Sequence, residues 1–401
     1  MAKFLFVVPP FFGHISPTLS VGGSLLAKGH EVLWAGITGL ADEYIPAGGK
    51  FLVPHPELEP HRQEINRILR RQDDGAALSG PQVLKLALEE TYIPFARMMR
   101  EGLMRLIEEH RPDVIISDCI TFAGGLCAYS KGIPYVTTTP VPPDVMGDAL
   151  QAPKVFEWQQ RLIRGLQQEF GIYTDDFVMH SSEMNLVFTS ESFARMPLAL
   201  PHLKFVGPVK GRPNHTFFDF NALDKVTTPK IFISLGTLLV DIRKAFFEKV
   251  IAAFKDEPVT VIAATDPSII EEWPDNFMVQ SYVPQTRLMP LMDVVVCHGG
   301  FNTVNDALLN GLPLLVTPIT YDHFHTAGLV VHSGAGLKLR YKRMRAEDLR
   351  AAVQSLLQEG HYRVASQRVR DGFIAAGGND QAVAHLEAFA ASVTRNSTAI
   401  L

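Results

Sequence analysis

The segment Met292-Asp293-Val294-Val295-Val296-Cys297-His298-Gly299-Gly300-Phe301-Asn302-Thr303 decides how the rest of the chain is read. Its branched apolar run has the composition of a strand buried on both faces, and two glycines mark a turn directly after it. Asn302 and Thr303 then open a stretch whose apolar positions Val304, Ala307 and Leu308 recur at helical spacing. A helix that starts at the carboxyl edge of a parallel strand aims its first backbone N–H groups and its positive dipole end at that edge. Such a place suits a phosphate. Gly299 and Gly300 let an anion approach the backbone, His298 can donate a hydrogen bond, and Thr303 adds a hydroxyl. A strand-to-helix turn with no ligand looks the same locally, so the flanking sequence must decide between them.

Working outward, strand and helix alternate on both sides. Residues 4–8, 31–35, 113–117, 134–138 and 186–189 read as strands. Residues 16–28, ended by Gly29, and 121–131 read as helices. A long helical stretch over 81–109 contains Pro94, which should kink or interrupt it. Between 207 and 230 the rhythm breaks: Pro208, Gly211, Pro213, Asn214 and Pro229 crowd a stretch with few periodic apolar positions, as in a linker. Alternation then resumes, with strands at 231–234, 259–263, 277–280, 294–297 and 314–316 and helices at 243–254 and 346–375. A last helix over 381–393 follows Gly377-Gly378. The pattern predicts an α/β protein of two doubly wound parallel-sheet domains: residues 1–207, a linker at 208–229, and residues 230–379.

The chain has 401 residues, 47% of them hydrophobic, enough for two domains that each bury a core. A net charge of −5 gives no electrostatic footprint for nucleic acid. No apolar run approaches the roughly 18 residues of a membrane span. Cys119, Cys127 and Cys297 form a sparse, odd set, which predicts reduced thiols in a cytoplasmic protein. No Gly-x-Gly-x-x-Gly follows a predicted strand, which disfavours a nicotinamide oxidoreductase.

The flanks carry a longer signature. Tyr282-Val283-Pro284-Gln285 precedes the opening segment, and Pro318-Ile319-Thr320-Tyr321-Asp322-His323 follows it. From 282 to 323 the order and spacing resemble the donor-binding signature of the family 1 glycosyltransferases, the UDP-glycosyltransferase superfamily. The resemblance implies the GT-B fold, two facing Rossmann-like domains with ligands at the carboxyl ends of their strands, and a terminal helix (380–401) that packs back on the first domain. It implies that Tyr282 stacks on a nucleobase, Gln285 meets the base edge beside Val283, and Asp306 accepts from ribose hydroxyls. His298, Gly299, Gly300, Asn302 and Thr303 would surround the diphosphate, joined by Ser234, Gly236 and Thr237 of Ser234-Leu235-Gly236-Thr237. Asp322 and His323 would read the sugar. His323 stands where the family usually has glutamine, and Asp306 where it has glutamate, so the sugar is open, as is UDP against dTDP.

A second match lies near the amino terminus in Pro10-Phe11-Phe12-Gly13-His14-Ile15-Ser16-Pro17. A histidine on the loop after the first strand is suited to proton removal near neutrality. The segment resembles the same family's first-loop motif, which implies that His14 is the catalytic base, with Phe11, Phe12 and Gly13 facing the acceptor. Asp118 ends a predicted parallel strand on the same edge and matches the family's dyad aspartate; as an alternative it could cap the helix beginning near Thr121. The apolar mixture over 140–158 favours a lipophilic acceptor such as a polyketide, terpenoid or phenolic. The expected reaction is inverting transfer from a nucleotide-sugar co-substrate, with a UDP-sugar favoured, to an acceptor hydroxyl, with no cofactor. No metal is expected, since no Asp-x-Asp occurs and His323 and His325 fall on different faces of a predicted helix. Neither nucleic acid nor membrane is an expected partner, and the assembly is a monomer or homodimer. Two alternatives stand: a catalytically silent nucleotide-sugar-binding accessory protein, and a nucleotide-sugar epimerase on the same architecture.

Overall fold

The computed structural model describes every residue except 39–42, 55–58, 72–80, 140–151, 196–199, 210, 212–215, 237–241, 321 and 399–401. The chain divides into two compact units: Met1–Arg70 with Leu84–Arg212 and Ala376–Leu401, and Arg71–Val83 with Pro213–Ala375. Each unit carries one parallel sheet, and together they have the GT-B fold.

In the first unit the strands are β1 (Lys3–Val8), β2 (Glu31–Gly36), β3 (Lys50–Leu52), β4 (Val114–Asp118), β5 (Tyr135–Thr139), β6 (Asn185–Val187) and β7 (Leu203–Phe205). Their spatial order is β3-β2-β1-β4-β5-β6-β7, every pair parallel. Leu5, Val7, Phe4, Phe6 and all of β4 are buried, as expected when helices cover both faces. The order reverses between β1 and β4, so the crevice at their carboxyl ends is where such a sheet accepts ligands.

The second unit repeats the design with β8 (Lys230–Ser234), β9 (Thr260–Ala264), β10 (Phe277–Gln280), β11 (Val294–Cys297), β12 (Leu314–Val316) and β13 (Gly336–Lys338). Their order is β10-β9-β8-β11-β12-β13, again all parallel. Here the switch point falls between β8 and β11, where Ser234 and Cys297 sit side by side in register.

Several local readings shift. The first helix spans Phe12–Ala27, four residues earlier than expected, because Phe11 stays extended and its carbonyl accepts from His14 and Ile15 N–H at 2.9 and 3.2 Å. Pro17 lies inside that helix. The long helical stretch breaks into Pro81–Ala87, a wider π turn over Leu88–Tyr92, and Ile93–His110. Pro94 has no N–H for the carbonyl one turn back, and the helix widens just ahead of it. Strands β3, β7 and β13 are three residues long, each with a lysine and partial exposure, and leave no apolar run for the sequence to show. Residues 140–151 lie outside the described ones; beyond them Pro153–Glu169 is a helix whose Trp158 packs on the first unit's core.

The terminal helix, Gly378–Thr398, lies within the first unit. Ala382, Val383, Leu386 and Ala390 are buried in one cluster with Leu19, Val21 and Leu25. Each fully buried large apolar side chain of this kind contributes about 1.5–3 kcal/mol. At the rim Lys28 Nζ meets Glu387 at 2.6 Å, and Asn379 donates to Ser24 Oγ at 2.8 Å.

Candidate functional site

At the first unit's switch point, β1 feeds the helix that carries His14 in its opening turn, and β4 ends on Asp118. His14 Nδ1–H donates to Asp118 Oδ2 at 2.9 Å. The aspartate side chain is fully buried while the histidine keeps 22% exposure, so the imidazole faces outward with its tautomer fixed from within. The other carboxylate oxygen accepts Ile120 N–H at 3.0 Å. The Asp118 side chain does not cap the helix Phe122–Ser130, whose N-cap is Thr121 without a side-chain cap bond. Phe11 stands tilted beside His14, ring centres 6.3 Å apart. Phe12 is exposed and meets Tyr44 edge-on at 5.2 Å, and Gly13 lies between Phe12 and His14 in the same turn.

At the second unit's switch point stands a histidine in a contrasting setting. His298 follows β11 and is buried; burial first, then the nearby Arg243 charge, push its pKa down to about 4. The Ser234 backbone offsets only part of this, and Nδ1 makes no full hydrogen bond. The ring is therefore neutral throughout the neutral range. Its Nε2–Cε1 edge lies between two glycines. A Cβ on Gly236 would stand 2.7 Å from Cε1, and one on Gly300 would stand 2.5 Å from Nε2. Only glycine fits on either side of this ring. Gly236 and Gly299 also have φ of 74° and 99°, conformations that other residues adopt rarely. Gly300 is the N-cap of the helix Phe301–Leu309, with buried Thr303 and exposed Asn302 in its first turn.

Behind His298 packs His323, which opens the helix His323–His332 after Asp322 as N-cap. The two rings meet edge to face, centres 4.5 Å apart. His323 is buried, its Nδ1 accepts Thr320 N–H at 3.3 Å, and burial and His298 both push its pKa well below the ordinary range. Ser234 Oγ accepts Gly236 N–H at 3.1 Å. Thr237 lies outside the described residues. Tyr282 is 68% exposed, an available stacking face, above buried Val283. Gln285 Nε2 donates to Asp306 Oδ2 at 2.6 Å, so the residues assigned to base and ribose are hydrogen-bonded to each other.

Arg243 was not singled out in the sequence. It starts the helix Arg243–Phe254, and its Nη2 donates to the Gly236 carbonyl at 2.9 Å. A cation in a helix's first turn is opposed by the macrodipole, a misfit that becomes informative only with Gly236 beside it.

With this geometry in view, residues 247–389 match the family described as "Erythromycin biosynthesis protein CIII-like, C-terminal domain". The chain is 28% identical over 394 residues to the NDP-glycosyltransferase YjiC of Bacillus subtilis, covering 95% of each protein. It is 27% identical to the demethyllactenocin mycarosyltransferase of Streptomyces fradiae, covering 94% of this chain and 84% of the relative. The solved spinosyn rhamnosyltransferase SpnG, complexed with thymidine diphosphate, shares the fold with a TM-score of 0.69 and 21% identity, over 96% of this chain and 100% of its own. The protein is a glycosyltransferase of GT-B fold. More particularly, the C-terminal match and the full-length relatives support a family 1 natural-product glycosyltransferase. Among the described residues, no helix is long and apolar enough to cross a membrane.

Proposed function

We propose that the protein transfers a sugar, with inversion, from a nucleoside-diphosphate donor to a hydroxyl of a lipophilic natural product. The observation that carries the proposal is the His14–Asp118 pair at 2.9 Å. Asp118 holds Nδ1–H, which leaves Nε2 as the basic nitrogen. His14 takes the acceptor's proton there as its oxygen forms the bond to the anomeric carbon. The bond from that carbon to the diphosphate oxygen breaks on the opposite face, and Asp118 stabilises the imidazolium that forms.

The departing diphosphate gathers negative charge, and the second unit's switch point is suited to receive it. His298, the amino end of Phe301–Leu309, Thr303 and the Arg243 guanidinium provide donors and positive potential in a largely dry setting. Arriving phosphate supplies the counter-charge that burial denies His298, so that a proton at Nε2 is favoured. Tyr282 serves as the stacking face for the base, with Gln285 and Asp306 on base and ribose, and Asp322 on the sugar. The buried seat of His323 suits orienting His298 as well as meeting the sugar. The reading needs neither cofactor nor metal.

Both UDP- and dTDP-sugars are candidate donors; SpnG's thymidine diphosphate and YjiC's NDP designation leave both in play. The test is a panel of UDP- and dTDP-sugars, with chromatography for slow donor hydrolysis and, where an acceptor is found, NMR of the product's anomeric configuration. Hydrolysis of at least one donor and an inverted product are expected. A retained configuration would reject the displacement, and inertness toward every donor would favour a silent binder. Retention of the His14–Asp118 pair argues against that silent reading.

A further inference from the structure

We propose that His14, Asp118 and Cys119 form a zinc site, and that zinc held there blocks transfer. Among the described residues these three are the group whose ligand atoms cluster for a metal, all lying within 4.8 Å of one another. Imidazole, carboxylate and thiolate are the donor types zinc prefers. Zinc at bond lengths of about 2.0–2.3 Å would set these atoms about 3.3–3.7 Å apart, so His14 Nδ1 and Asp118 Oδ2 open slightly from 2.9 Å while all three atoms already lie within 4.8 Å of one another. The charge also balances: one carboxylate and one thiolate neutralise Zn²⁺, and a neutral imidazole completes the set, with a fourth position for water.

The frame around the site is held in place. Cys119 N–H donates to the Thr138 carbonyl at 2.9 Å, and the Cys119 carbonyl accepts from His180 Nε2 at 2.7 Å. Asp118 Oδ1 is engaged by Ile120 N–H at 3.0 Å, which leaves Oδ2 for the metal. Oδ2 is the oxygen bonded to His14 Nδ1, so the ion takes the place of the proton between them. Binding releases the Cys119 thiol proton to solvent and shifts the ring's single proton from Nδ1 to Nε2, so the imidazole stays neutral. An acceptor hydroxyl would meet a donor there instead of a base. Inhibition, unlike binding, rests on the proposed role of His14.

The test uses the full chain in metal-free buffer with ZnCl₂, and with CoCl₂ as a spectroscopic probe. Wild type should bind a single Zn²⁺ by calorimetry, and Co²⁺ should give a thiolate-to-cobalt charge-transfer band. Cys119→Ala should lose the band and bind zinc at least about tenfold more weakly, the scale on which even supporting groups act at zinc sites. Cys119→Ser, which keeps the side chain's size, supplies the same comparison if the alanine variant does not fold. Zinc should stop wild-type transfer in step with occupancy, while each cysteine variant keeps its own zinc-free rate at the same concentration. Unchanged zinc affinity in the variants, or no thiolate band, would overturn the site. Zinc binding with undiminished transfer would uphold the site and reject His14 as the base.

Discussion

Each unit sets a histidine beside the switch point of its sheet, on opposite sides of that point in the two units, and gives it opposite surroundings. His14 follows the first strand of its sheet and His298 the fourth of its own, each beside the point where strand order reverses. His14 is partly exposed and tied to a buried carboxylate, the setting that the proposed base requires. His298 is dry, neutral, backed by another imidazole and clasped between glycines. It is suited to hold a shape and present a hydrogen bond. The side chain is the same, and its neighbours decide which task it can perform.

That contrast can be broken from either side. The largest effect is expected for Asp118→Asn, which keeps the shape but withdraws the charge that fixes the His14 tautomer. Turnover should fall by about 10²–10⁴-fold, as for losses within a base–carboxylate pair, with nucleotide affinity unchanged by calorimetry. Normal turnover would remove Asp118 from the mechanism.

Next in size is Gly300→Ala, whose new methyl would overlap His298 Nε2. Overpacking of this kind costs about 1–3 kcal/mol, so UDP or dTDP affinity should fall by about ten- to hundredfold. Affinity equal to wild type would mean that the ring's position does not matter to the diphosphate. Arg243→Met keeps much of the side chain's bulk and removes its charge. A loss of about five- to tenfold in nucleotide affinity is expected, together with a shallower dependence on salt.

The smallest effect at neutral pH is on stability. Unfolded His298 takes a proton near 6.5, whereas the folded residue resists protonation until about pH 4. The unfolded state therefore binds more protons within that window, and stability must fall as pH drops through it. Above pH 6.5 both states are neutral and the residue contributes no slope. His323, whose pKa is lowered in the same direction, adds to the effect. In denaturant titrations His298→Gln should lose stability less steeply between pH 6.5 and 4 than wild type; equal slopes would show that His298 is not held neutral.

Much of this was legible from residue order. The apolar run Val294-Val295-Val296 with its glycines located β11 and the helix start, and alternation along the chain gave two parallel sheets. Chain order also carried the dyad's candidates, since a strand's last residue and a loop histidine emerge on one edge of a parallel sheet. The short strands β3, β7 and β13 were not legible because each contains a lysine and is only partly buried, whereas the equally short but fully buried, mostly apolar β6 and β12 were read. The start of the first helix was masked by Pro17, which reads as a first-turn residue but lies deeper. The packing of His323 on His298 joins positions 25 apart in sequence and has no local signature. Arg243 is similar: a cation at the head of a helix draws notice only once Gly236 is seen beside it.

The most direct test of the central claim, that one histidine handles the proton and the other the diphosphate, is a paired measurement on His14→Ala and His298→Ala. Each preparation is assayed for sugar transfer and titrated calorimetrically with the nucleoside diphosphate of its donor. His14→Ala should keep wild-type nucleotide affinity while turnover falls by about 10²–10⁴-fold. His298→Ala should bind the nucleotide about ten- to hundredfold more weakly, as for loss of a hydrogen bond to a charged group. Wild-type turnover in the first variant, or wild-type affinity in the second, would contradict the account.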